Sequence, residues 1–194
     1  MNTAPAAREV AWTDERLLKE CGKGNQAAWA ALIDKYKNLI FSIPIKFGVP
    51  REDAADIFQS VCADMLSGLS QLREAKALPK WLMQTTFHKC LRWKKDRLNL
   101  VEDLDALSDE GEAGTEDLPE AMLSQLQREQ SVREAMAALP PRCNRMVSML
   151  FFDDPPRPYQ EVAKELGMAA GSIGFIRGRC LKKMRRLLED RGFK

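Results

Sequence analysis

Apolar residues recur every three or four positions through most of this chain, which is the period of helices packed on one face. Thr13 is placed to cap a short helix running to about Cys21, with Asp14 and Glu15 in its first turn. Gly22 and Gly24 break it. Asn25 is placed to cap a second helix, in which Trp29, Leu32, Ile33, Tyr36 and Ile40 share a face. Pro44 should kink or end that helix around Ser42–Ile45, and Gly48-Val49-Pro50 makes a turn. Arg51–Leu69 predicts a long helix with Ile57, Phe58, Val61, Cys62, Met65, Leu66 and Leu69 as its apolar stripe. Ser70–Leu78 is a polar connection. Pro79 suits the first turn of a helix reaching about Lys95, with Met83, Phe87, Cys90 and Leu91 inward.

The pattern lapses over Leu98–Asp117 and then resumes. Pro119 can start a helix carrying Leu126, Val132, Ala135, Met136 and Leu139, which Pro140-Pro141 stops. Arg142–Phe152 predicts a short helix with Met146, Val147, Leu150 and Phe151 inward, and Asp153–Pro158 a rigid loop. The run Pro158–Arg186 then predicts two helices joined by a tight turn. Val162, Ala163 and Leu166 line the first, Gly167 stands where a left-handed cap is favoured, and Ser172 opens the second. Ile173, Ile176, Cys180, Met184 and Leu187 give that helix its apolar face, and Arg179, Lys182, Lys183 and Arg186 a basic one, with Arg177 at the margin. No strand pattern or internal repeat is present. The expectation is an all-α protein of two helical domains joined by a flexible linker.

Charge sharpens that division. Net charge is +5 over residues 1–97, −9 over 98–127 and +6 over 128–194, so the near-neutral total of +2 conceals two cationic blocks around an acidic insert. Two such blocks point to two contacts with a polyanion. A short turn followed by a helix with a basic face is a common way of setting side chains into a DNA major groove. The five cysteines are odd in number and widely spaced, without a CxxC pair, which argues against a disulfide framework and against a zinc site. Cys62, Cys90 and Cys180 fall on apolar faces and are expected to be small buried thiols. No segment is apolar enough to insert in a membrane, and a cytoplasmic location is expected. No phosphate-binding glycine loop, HExxH, GxSxG or Cys–His arrangement occurs, and His88 stands alone, so neither catalysis, a metal nor a cofactor is expected.

Two blocks carry a family resemblance. DAADIFQSV, followed by LPKWLMQTTF, and then the LPPRCNRMVSMLFFDDPPRPYQEVAKELGMAAGSIGFIRGRCLKKMRRLL block occur in that order across roughly Asp14–Leu188. The chain thereby resembles bacterial RNA polymerase sigma factors of the extracytoplasmic-function group, the minimal type with only the second and fourth sigma regions. The resemblance implies four segments: a flexible tail at 1–12, a region-two domain at 13–96, an acidic linker at 97–118 and a region-four helix-turn-helix domain at 119–190. It implies a transcription initiation factor with no chemistry of its own. Its partners would be core RNA polymerase, through the beta-prime clamp helices and the beta flap, then promoter DNA and an anti-sigma factor.

Residue by residue, the resemblance assigns Asp53, Asp56, Phe58 and Gln59 to polymerase docking, where acids beside an aromatic anchor suit a basic partner. It assigns Arg73, Lys76, Lys80, Gln84, His88, Lys89, Arg92, Trp93 and Lys95 to the minus-ten element, where positive charge and stacking surfaces favour an opened strand. Trp81 is expected in the core. Ser172, Phe175, Arg177, Arg179, Lys182 and Lys183 fall to the minus-thirty-five element, with the two arginines nearest the base edges and the lysines on phosphates. The chain departs from the family at Phe87-His88, where many members carry Arg-Asn, at Arg92, where they carry Asp, and at Gly174, where many have a basic residue. Known base preferences therefore do not transfer. The rival readings are a helix-turn-helix regulator acting without polymerase, which has no use for DAADIFQSV, and a helical adaptor for acidic proteins. The acidic linker is expected to compete with DNA for the cationic blocks in the free protein.

Overall fold

The computed structural model describes residues 12–72, 74–102 and 117–193, with backbone alone at 99–102. The expected tail at 1–12, save Trp12, and most of the expected linker lie outside the described residues. Eight α-helices and no strand occur among the described residues, so the chain is all-α as its periodicity predicts.

Local chemistry sets the helix ends. α1 (Asp14–Cys21) begins where Thr13 Oγ1 accepts the Arg16 N–H at 3.3 Å. α2 (Gln26–Lys46) begins where Asn25 Oδ1 accepts the N–H groups of Ala27 at 3.0 Å and Ala28 at 3.3 Å. Pro44 lies in the last turn of α2, and Gly48, at φ +74°, turns the chain into α3 (Arg51–Gly68). α4 (Leu78–Glu102) runs beyond the expected end at Lys95. Asp96–Glu102 contains neither Gly nor Pro, so the drop in basic charge there marks a change of sign and not a helix stop.

Contacts divide the chain into two compact units, one ending at Leu126 and the other beginning at Gln127. In the first, α2, α3 and α4 pack on one another and α1 lies against α2. Leu32, Tyr36, Ile43, Val61, Met65, Leu82 and Met83 are fully buried there. The buried Tyr36 hydroxyl donates to Asp14 Oδ1 at 2.9 Å, and the same oxygen receives Lys35 Nζ at 2.7 Å. An unpartnered buried hydroxyl costs about 1–3 kcal/mol, so this carboxylate ties α1 to α2. Trp81 packs on Gly68, where an added Cβ would stand 2.9 Å from the indole, in keeping with its expected place in the core. Leu66, expected in the apolar stripe of α3, is instead 68% exposed. Leu118 and Leu126 are buried in this same core, with Met122 and Leu123 packed against it.

The second unit takes the rest of α5 (Glu120–Ala138), then α6 (Pro141–Phe151), α7 (Tyr159–Leu166) and α8 (Ile173–Glu189). Its core holds Leu139, Met146, Val147, Leu150, Val162, Ile173 and Cys180. Phe151, expected inward, is 51% exposed. The loop after α6 is fixed by Arg157, whose guanidinium reaches Asp153 Oδ2 and Glu165 Oε2, each at 2.6 Å.

Cysteine spacing misleads in this unit. Cys143 of α6 and Cys180 of α8 form a disulfide, their Cα atoms 5.3 Å apart across a sequence separation of 37. The expectation of a buried free thiol at Cys180 is corrected accordingly. Spacing along the chain says nothing about which helices meet, and α6 packs directly on α8. Cys21 and Cys90 are buried free thiols and Cys62 is half-buried. Burial pushes all three thiols upward, Cys90 to about 12.

Alkylation of the denatured, unreduced protein should therefore label three cysteines, and prior reduction should raise the count to five, as read by mass spectrometry. Chain-entropy reasoning for a loop of this length gives the crosslink about 4 kcal/mol, so reduction should lower the denaturant midpoint of the second unit. Five labels without reductant would contradict the pairing.

Candidate nucleic-acid interface

α4 is a helix of two faces. Leu78, Leu82, Met83, Phe87 and Cys90 are buried, and Phe87 also lies with its ring centroid 5.3 Å from that of Phe47. That arrangement turns positions 80, 84, 88, 92 and 95 away from the core, as the 3.6-residue period requires. Lys80 and Arg92 are exposed on this side, and Lys76 is exposed just ahead of the helix. Gln84, His88, Lys89, Trp93 and Lys95 are partly buried. Arg73 lies outside the described residues.

Several of these side chains already have partners. Lys89 Nζ reaches Asp64 Oδ2 of α3 at 2.8 Å. Arg97 lies 3.4 Å from Asp53 and places its guanidinium carbon 5.2 Å from the centre of the Trp93 ring, a cation–π arrangement. Gln84 bonds His88 Nε2 at 3.1 Å and also the chain at Asp117 and Leu118. Sequence pattern does not single out Arg97, Asp117 and Leu118, because it ends α4 before Arg97 and leaves 117–118 in the linker.

Two of the α3 residues expected to dock, Asp53 and Asp56, and three of the α4 residues expected to bind a strand, Lys89, Arg92 and Trp93, line the same place. An open cleft of about 220 Å³ has Asp53, Asp56, Ile57 and Ser60 on one wall and Lys89, Arg92, Trp93 and Asp96 on the other. Asp56 and Gln59 are exposed, Asp53 is half-buried, and Phe58 leans on the core, its ring centroid 6.4 Å from that of Phe41. Sequence reasoning treats the α3 and α4 residues as two surfaces; helix packing sets Asp53 and Asp56 across one cleft from Lys89, Arg92 and Trp93.

In the second unit, Gly167 closes α7 at φ 60°, ψ 49°, the left-handed cap that its position predicts. A single 3-10 turn, Ala170–Ser172, leads into α8. The Ser172 hydroxyl donates to the Ala169 carbonyl at 2.7 Å and makes no cap bond to α8. Ile173 and Cys180 anchor the inner side of α8. Gly174, Phe175, Gly178, Arg179, Lys182, Lys183 and Arg186 are exposed on it, Phe175 by 72%, and the Arg179 guanidinium carbon is 5.9 Å from the Phe175 ring centre. Arg177 differs from the rest. It hydrogen-bonds the Tyr159 hydroxyl and sits 5.7 Å from the Tyr159 ring centre, bracing α8 on α7. Tyr159 is a residue the sequence did not point to, since it precedes the apolar stripe of its helix.

No family model matches the chain, and no curated protein matches it. Among solved structures, a complex of RsbN with BldN is matched at a TM-score of 0.33 and 16% identity, over 88% of this chain and 98% of that one. A complex of CnrH with the cytosolic domain of CnrY is matched at a TM-score of 0.36 and 19% identity, over 92% of this chain and 99% of that one. At TM-scores this low, neither likeness decides anything about fold or role.

An added Cβ at Gly174 or Gly178 would meet nothing within 4 Å. Each glycine therefore weakens α8 without serving its packing, and Gly174→Ala and Gly178→Ala should each stabilise the second unit by about 0.5–1 kcal/mol. Urea denaturation checks this; a loss of stability would mean that α8 is packed differently at those positions.

Proposed function

We propose that this chain is a transcription initiation factor of the sigma type, which binds core RNA polymerase through α3 and guides it to promoters through α4 and α8. The observation that carries the reading is the sharing of one cleft by the α3 acids and the α4 cations. A protein that must hold polymerase while seizing an opened strand needs those two surfaces in fixed relation. Asp56 and Gln59 offer exposed polar contacts beside the half-buried Phe58. Lys76, Lys80 and Arg92 supply positive charge for the strand, with Trp93 as a stacking surface.

Region-four recognition belongs to α8 on this reading. Arg179 is the foremost base-edge residue, Lys182 and Lys183 hold phosphates, and Arg177 positions the helix through Tyr159. Gly174 and Gly178 leave the helix backbone bare toward the groove. An anti-sigma partner fits the same assignment, since a protein that hides either cationic face or the α3 acids would silence the factor.

In vitro transcription with core polymerase and a library of promoter fragments tests the proposal. Defined RNA starts that depend on the added chain are the expected result; their absence at every fragment overturns the reading. Asp56→Ala with Gln59→Ala should lower polymerase affinity at least about tenfold while helical content stays unchanged. Lys182→Ala and Lys183→Ala should each reduce the slope of log affinity against log salt by about one, with sequence preference unchanged.

A further inference from the structure

The residues just beyond the acidic segment return to α4 and take hold of its outer face. Leu118 is 5% exposed, a plug in the first core, and Met122, Leu123 and Leu126 follow it inward. This anchoring sets Asp117 and the Leu118 backbone against Gln84. The Gln84 Nε2 group donates to Asp117 Oδ1 at 3.0 Å, and the Leu118 N–H donates to Gln84 Oε1 at 3.1 Å. Gln84 Nε2 also lies 3.1 Å from His88 Nε2. With the ring nitrogen accepting, both amide hydrogens and the amide oxygen of Gln84 are engaged.

An acceptor beside a donor, both met by one carboxamide, is also what the outer edge of adenine presents. Its N7 accepts and its N6 amino group donates, and a glutamine reads that pair in bidentate fashion. Asp117 Oδ1 stands for N7 and the Leu118 N–H stands for N6–H. The contact does not depend on general charge attraction, because Gln84 is neutral and the Leu118 group is a backbone amide.

We propose that Asp117–Leu118 is a built-in surrogate for an adenine of the promoter, occupying Gln84 in the free chain and yielding it when that base arrives. The proposal rests on the reading of α4 as the minus-ten surface, and it adds to that reading both a base preference and a gate. A reader blocked by its own chain binds DNA more weakly by the fraction of time it stands open. The surrogate therefore suppresses binding wherever adenine is missing from the matching position, while a matching promoter restores both hydrogen bonds. It also gives the acid next to the second half of the molecule a role that bulk electrostatic competition does not: it is specific to one side chain.

The test uses the full chain and a labelled forked duplex from the strongest promoter of the transcription library. Asp117→Ala removes the acceptor and should raise affinity roughly tenfold, the gain for a reader open a tenth of the time. Asp117→Asn keeps an acceptor oxygen while removing the charge, and should stay within about twofold of the unaltered chain. The gain from Asp117→Ala should vanish in a Gln84→Ala background. Replacing promoter adenines one at a time by 7-deaza-adenine, which lacks N7, should weaken binding of the Asp117→Ala chain at one position, and not when Gln84 is also Ala. Equal gains from Asp117→Ala and Asp117→Asn, or a gain that survives Gln84→Ala, overturn the surrogate and leave only charge. Lys80→Ala and Arg92→Ala separate the two levels. Should they weaken binding while Asp117→Ala changes nothing, the gate alone fails; should they leave binding unchanged, the minus-ten assignment of α4 fails with it.

Discussion

The packing of α4 against α2 and α3 is the constraint from which the first unit follows. Once Leu78, Leu82, Met83, Phe87 and Cys90 are buried, the helical period fixes the direction of every other α4 side chain. Lys80, Gln84, His88 and Arg92 must then face outward, and Lys89 and Trp93 must face α3. The cross-helix pairs Lys89–Asp64 and Arg97–Asp53 are consequences of that geometry and not its cause, since partly exposed ion pairs contribute only about 0–1 kcal/mol each. Burial sets the frame, and charge decides what the frame attracts.

The second unit solves the same problem with less apolar material. α7 is a short helix of eight residues, and α8 buries only Ile173 and Cys180 completely. The Cys143–Cys180 bond, the left-handed cap at Gly167 and the Arg157 bridge between Asp153 and Glu165 hold what the small core would leave loose. Arg177 joins this scaffolding by bracing α8 on Tyr159. The remaining cations of α8 are thus displayed on a surface that its supports do not obstruct, beside the exposed Phe175 and two glycines, Gly174 and Gly178, with open space around them.

Local signals were legible in the sequence wherever one residue decides the outcome. Thr13, Asn25 and Gly167 cap helices as their chemistry predicts, and the apolar stripes of α4 and α8 face their cores, as does that of α2 except for Ile33, whose place is taken by Leu39. Apart from the end of α4, the misses share one physical origin, which is how residues far apart in sequence meet or fail to meet. The Cys143–Cys180 pair depends on α6 meeting α8, and periodicity does not reveal which helices meet. Leu66 and Phe151 satisfy the apolar spacing of their helices, yet both stand exposed among the described residues. The apolar pattern lapses after Lys95, yet Asp96–Glu102 holds no helix breaker and α4 continues through it. The engagement of Gln84 by Asp117 and Leu118 spans more than thirty positions and leaves no local trace.

Photocrosslinking in the assembled complex tests the central claim most directly. A crosslinking residue is placed singly at positions 56, 92 and 179, and the chain is mixed with core polymerase and promoter DNA. The account predicts that position 56 captures polymerase while positions 92 and 179 capture DNA at two sites upstream of the transcription start. Capture of DNA from position 56 with none from 92, or capture of no polymerase from position 56, would contradict it.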